Sequence, residues 1–145
     1  MKQLQVNPRS AVQVVEVEML KRPQLNLPLR HFFAPGVYAR EVFIPAGTLV
    51  TSKIHKYADL NIMSQGVMDV LIGDQITRVQ APFTIVTPPG TKRIAYAWTD
   101  CVWTTVFGTD ITDPDEAEDY FSCSSEEEYL IFQEGQCLLS HQPSV

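Results

Sequence analysis

The chain has 145 residues, 45% of them apolar and 19% charged, which fits one globular domain able to bury a core of its own. A formal net charge of −6, with no basic stripe interleaved with aromatics, argues against nucleic acid as a partner. No apolar run nears the ~20 residues of a membrane span and no signal peptide opens the chain, so a cytoplasmic protein without membrane contact is expected.

In chain order, residues 1 to 9 carry no pattern and read as a loose arm. Ser10 as N-cap with Gln13 as its capping-box partner predicts a short helix over Ala11 to Lys21, stopped by Pro23. Pro23 and Pro28 then make an extended linker that ends in a Pro35-Gly36 turn. From Val37 the chain reads as short strands separated by turn residues: Val37 to Ile44, Leu49 to His55, Leu60 to Ser64, Val67 to Ile72, Gln75 to Val79 and Phe83 to Thr87. Thr91 to Trp98 and Cys101 to Phe107 follow, expected to pair with each other across Thr99-Asp100. Such closely spaced strands leave no room for crossover helices, so an antiparallel barrel or roll is expected.

After the strands, Asp113 as N-cap with Pro114 and Glu116 opens a helix to about Phe121. Ser125 and Glu128 open a second, with Gly135 as its stop, and the last residues, HQPSV, read as disordered. Three domains of organisation result: an arm and helix over 1–28, a barrel over 29–109 and a helical tail over 110–145. The tail carries ten Asp or Glu and no Lys or Arg, which leaves 11 basic against 7 acidic residues in the part before it. The acidic run reads as a solvated helix face, with docking on a basic partner surface as the alternative. Cys101, Cys123 and Cys137, odd in number and without CxxC spacing, read as reduced packing residues.

Two stretches carry the chemistry. GTLVTSKIHKYADLNIMSQG (47–66) has the spacing of the first cupin motif, in which Gly, His-x-His, Glu and Gly recur at fixed gaps; here they read Gly47, Lys53, His55, Asp59 and Gly66. PFTIVTPPGTKR (82–93) has the spacing of the second, with Pro88, Gly90 and, at the His position, Arg93. The chain therefore resembles the cupin superfamily. With HFFAPGVYARE, IPAGT, LNI and VWTT it is similar to a small cupin-like family of tailed bacteriophages and prophages. The resemblance implies an all-β jelly-roll barrel with short flanking helices, commonly a homodimer, with a ligand site in its mouth. One departure is Phe107, where a His would follow VWTT.

Of the four positions where the resemblance implies metal ligands, only His55 keeps its imidazole, Asp59 stands for Glu, and Lys53 and Arg93 are cations. Two fixed positive charges repel a divalent ion, so no metal and no cofactor is expected; His55 with Asp59, joined by His31, is the alternative. Strand alternation puts Lys53, His55 and Tyr57 on one face, Thr91, Arg93 and Ala95 on another, Trp103, Thr105 and Phe107 on a third, and Tyr38 with Arg40 on a fourth. A cationic pocket with aromatic walls follows, in which Lys53, His55 and Arg93 neutralise a small anionic, phosphorylated or nucleotide-like ligand. Arg40 and Thr105 share its walls, Asn61 orients the ligand, and Tyr38 or Trp103 stacks on it. Lys92, beside Arg93 after the Gly90 turn, adds to the phosphate-like character.

Three rival readings use the same residues. In a cupin-type isomerase or epimerase His55 is the catalytic base, with Lys53 and Arg93 on the substrate phosphate. A metal-dependent oxygenase needs His55, Asp59 and His31 to converge. A virion or assembly scaffold, with a phage structural or host protein as its partner, needs a packed core in place of a polar cavity.

Overall fold

A computed structural model describes residues 7–140, the side chain of Ser140 excepted. The expectations for residues 1–6 and for HQPSV beyond Ser140 lie outside the described residues. The cap of helix α1 (Pro8–Met19) lies three residues before the expected one: Asn7 is the N-cap, its side chain accepts from the Arg9 amide at 3.0 Å, and Pro8 holds the first helical position. Proline has no N–H to leave unpaired and a preset φ, so it fixes the start and leaves Ser10 inside the first turn.

The linker is not bare. Its second half is strand β1 (Leu29–Ala34), which pairs antiparallel with β2 (Val37–Ile44) through the Pro35-Gly36 turn. All six β1 residues are exposed because the strand is an edge, which hid the alternation a buried strand would show. The predicted strand over 49–55 is two: β3 (Leu49–Thr51) pairs with β9 (Ile94–Ala97), and β4 (Ile54–His55) swings away to pair with β11 (Ser122–Cys123). The break at Ser52-Lys53 allows one chain to serve two partners.

The remaining strands are β5 (Asp59–Gln65), β6 (Val67–Ile72), β7 (Gln75–Gln80), β8 (Phe83–Thr87) and β10 (Cys101–Gly108), all within a residue or so of expectation. Two antiparallel sheets, ordered β1-β2-β10-β5-β8 and β3-β9-β6-β7, face each other as a jelly roll. The expected β9–β10 hairpin does not form. β9 lies between β3 and β6, whereas β10 crosses to the other sheet between β2 and β5, and burying one face of each is what closes the roll. Ile44, Met63, Met68, Val70, Val79, Ala95, Ala97 and Cys101 fill the space between the sheets.

Helix α2 (Pro114–Phe121) has the expected cap, Asp113, and lays Ala117 and Phe121 on Tyr38 and Phe107. Helix α3 (Glu126–Ser140) begins where predicted, with Ser125 Oγ accepting from the Glu128 amide at 3.1 Å, but runs through Gly135. A glycine stops a helix by turning left-handed, and Gly135 does not have a positive φ. Cys101 and Cys123 are buried as expected, whereas Cys137 is exposed on α3. Among the described residues no helix is long and apolar enough to cross a membrane.

Both terminal helices clamp the loop between β8 and β9. Arg9 forms a two-pronged pair with Glu126, both contacts 2.8 Å, donates to the Gly90 carbonyl at 3.0 Å and lies over the Tyr129 ring. Lys92, expected near the ligand, is instead buried and bonds Glu16 of α1 at 2.9 Å and the Ser52 carbonyl at 2.7 Å. Its charge is spent holding α1 to the barrel.

Candidate ligand cavity

An inner cavity of about 210 Å³ lies between the sheets. Its apolar lining includes Leu27, Leu29, Val42, Val50, Met68 and Val70; Arg40, His55, Arg93, Trp103 and Thr105 line it as well. An outer chamber of about 220 Å³, roofed by Ala117, Glu118 and Phe121 of α2, shares Arg40, Thr51, Ser52 and His55 with it. The two spaces thus meet at His55 and Arg40.

Lys53 is not in the inner cavity. The break after Ser52 turns it to the outer chamber, where its ammonium pairs with Glu118 at 3.1 Å, half in solvent. Tyr57 leaves the cavity as well and packs against Tyr120, Phe121 and Phe132 of the two C-terminal helices. Strand parity fails here because the strand itself is interrupted.

Asn61 is present but spent. It is 1% exposed, and its amide nitrogen donates to Asp59 at 2.7 Å and to Thr87 Oγ1, while its oxygen accepts from Trp103 Nε1 at 2.9 Å and Thr105 Oγ1 at 2.8 Å. A primary amide offers two donors and an acceptor with two lone pairs, so nothing remains for a ligand. Asn61 orders the wall; it does not orient the occupant. The indole N–H of Trp103 and the hydroxyl hydrogen of Thr105 are consumed with it, so Trp103 contributes its ring alone.

His55 bonds Asp59 through Nδ1, and Asp59 is 7% exposed. An ionised carboxylate only accepts, so the Nδ1 carries the proton and Nε2 is left as the basic nitrogen of a ring that lines both spaces. This is an oriented imidazole, built within one segment across the turn after β4.

Arg93 is 8% exposed. Its guanidinium donates to Thr87 Oγ1 at 2.9 Å and to the Leu71 carbonyl at 3.0 Å, while its buried Nε–H meets no partner among the described residues. Burial pushes its pKa down, against a smaller upward pull from the Asp59 charge. Arg40, the second cation of the cavity, lies over the Phe107 ring. Tyr38 is not a stacking platform for the inner cavity: it is 2% exposed, stacked between Phe33 and Phe107, with its hydroxyl on His31 Nδ1 at 2.7 Å. Burial raises its pKa.

The residues do not suit a metal. Among the described residues no three His, Cys, Asp or Glu converge, and His31, engaged by Tyr38 on the edge strand, is not part of the His55–Asp59 pair. Reasoning from the sequence missed Thr87 and Ser52. Thr87 is fully buried and joins Arg93 to Asn61; Ser52 accepts from the Arg93 amide at 2.8 Å. A small hydroxyl at a strand end carries no pattern that would have marked either.

The two-sheet roll with its cavity between the sheets is the cupin fold. No family model matches the sequence, and no curated protein matches it. Solved structures with the same fold include an RmlC-like cupin from Shewanella frigidimarina, 17% identical with a TM-score of 0.51, over 60% of this chain and 79% of that one. KdgF from a Halomonas species is 16% identical with a TM-score of 0.52, over 66% of this chain and 89% of the other. A cupin superfamily protein from Desulfitobacterium hafniense is 11% identical with a TM-score of 0.50, over 76% and 95%. At these identities the likeness speaks for the fold and for nothing finer.

Proposed function

We propose that the barrel binds a small anionic molecule in its inner cavity without a metal. The observation that carries this is Arg93, a buried guanidinium that lines the cavity with an unpartnered Nε–H and no hydrogen-bonded carboxylate. The positive charge of Arg93 has no carboxylate bonded to it, and an anion in the cavity supplies the counter-charge. Arg40 supplies the second positive charge. The cavity supports this reading over a packed scaffold, and the resemblance of the sequence phrases to a phage and prophage family supports a ligand met in the cytoplasm of a host cell. The exposed edge strand, with Phe32 and Phe33 on its surface, supports a homodimer.

One observation favours a second reading. The His55–Asp59 pair is the arrangement of a positioned general base, so a ligand with an acidic C–H beside a carbonyl would be isomerised as well as bound. Native mass spectrometry of protein purified without chelator, with elemental analysis of the same sample, tests the first reading. A co-purified anion without metal supports it; zinc or iron at unit stoichiometry overturns it. Deuterium uptake into the bound compound, absent in Asp59→Asn, would add catalysis.

A further inference from the structure

We infer that the anion is a monocarboxylate with a compact apolar body, and not a phosphorylated compound. The inference rests on the anion-binding reading above and narrows it. Three observations carry it. The first is the make-up of the inner cavity: aliphatic side chains form most of its wall, and its two guanidinium groups both lie about Asn61, Arg93 through Thr87, and Arg40 opposite Thr105 in the strand register. The ligand therefore has one polar head and one apolar body. Trp103 offers that body a ring face, since its N–H already bonds Asn61.

The second is the donor supply. A phosphate has three strong acceptor oxygens and close to two charges, and sites for it combine several backbone N–H groups with Lys and Arg. The features that suggested such a site are spent on the fold. The Gly90 N–H donates to the His55 carbonyl at 2.7 Å, the Arg93 N–H to Ser52 Oγ, and the Lys92 ammonium is buried against Glu16 and Ser52. Lys53 is held by Glu118 in the outer chamber. What remains is two guanidinium groups without backbone N–H groups beside them, Arg93 with two nitrogens already bonded and Arg40 over the Phe107 ring, which suits two carboxylate oxygens and a single charge.

The third is size. A cavity of about 210 Å³ lies below the roughly 300–1,000 Å³ of pockets for drug-sized ligands, which suits a compact acid.

The test is calorimetric titration of the full chain with isovalerate, hexanoate and benzoate, with isovaleramide as the uncharged counterpart, and with inorganic phosphate and adenosine monophosphate. At least one carboxylate binds, isovaleramide binds at least about tenfold more weakly than isovalerate where isovalerate binds, and Arg93→Met weakens the carboxylate by about 10- to 100-fold. Circular dichroism and thermal unfolding check that the variant is folded; the comparison of acid with amide in the unaltered protein needs no variant. If phosphate or the nucleotide binds through Arg93 and no carboxylate does, the carboxylate class is overturned and anion binding stands. If the amide binds as well as the acid, or no anion binds at all, both fall.

Discussion

Replacing Asn61 with Leu, a side chain of similar volume without hydrogen-bonding groups, removes four bonds from a site that is 1% exposed. Their partners do not suffer equally. Thr87 still accepts from Arg93, and the Thr105 hydroxyl can rotate to another acceptor, so those two losses are small. The Trp103 N–H and one oxygen of Asp59 lose buried partners outright, at about 1–3 kcal/mol each and more for the charged oxygen. Leu recovers about 1–2 kcal/mol through its burial. The expected net loss is about 2–4 kcal/mol, a large share of the stability of a domain this size.

Urea unfolding followed by tryptophan fluorescence measures that loss, and the slope of the transition shows whether the folded state is otherwise the same. Asn61→Ala is the companion. It leaves room for a water to bond Trp103 and Asp59, so it is expected to be no worse than Asn61→Leu although it buries less apolar surface. A loss below about 0.5 kcal/mol for Asn61→Leu would refute the hub and return Asn61 to the ligand.

Three other outcomes follow from the same contacts. Lys53→Ala is expected to change anion affinity by no more than about twofold, because a half-exposed pair with Glu118 is worth little and the ammonium does not reach the inner cavity; calorimetry beside Arg93→Met gives the ratio. Glu16→Gln leaves the Lys92 ammonium, 2% exposed, without its counter-ion and should cost about 3 kcal/mol in urea unfolding, whereas Glu16→Gln with Lys92→Met should recover much of it. The hydrogen bond from Arg9 holds the Glu126 carboxyl below its ordinary 4.5, so this contribution is present above that value and fades as pH falls through the lowered one; the protection factors of α3 amides, which are corrected for the intrinsic exchange rate, should fall between pH 6 and 3 in the native protein and should be low at both ends in Glu126→Gln.

The strand pattern was legible because most strands carry one buried face and end at glycine or proline. Phe83–Thr87 and Val67–Ile72 were readable to the residue. The failures have two causes. β1 was missed because an edge strand with six exposed residues shows no alternation. Lys53 and Tyr57 were misplaced because parity assumes an unbroken strand, and Ser52-Lys53 is where the chain leaves β9 for β11. Within the site, the motif spacing found His55, Asp59 and Arg93, but no rule of sequence tells that Asn61 has all its bonds satisfied or that Lys92 is paired with a helix 76 residues away. Such facts depend on where other elements dock.

The glycines of the two motif-spaced stretches serve the backbone, and positions 53, 55, 59 and 93 do not. Gly66 sits at a φ of 98°, and a Cβ there would lie 2.5 Å from the Asp100 carbonyl oxygen, a backbone atom with little freedom to move. Gly90, at a φ of 80°, turns the chain so that its N–H reaches the His55 carbonyl while Tyr129 and Arg9 press on its face. Both positions are dictated by how the sheets and helices meet, whatever the cavity holds. Positions 53, 55, 59 and 93 face no such demand. What they must satisfy is that the charges they bury find partners. Here Asp59 finds His55 and Asn61, and Lys53 finds Glu118. Arg93 finds Thr87 and Leu71 for two of its nitrogens and nothing for the third. No carboxylate bonds the guanidinium of Arg93, and that uncompensated charge beside the cavity is where an anion has something to add.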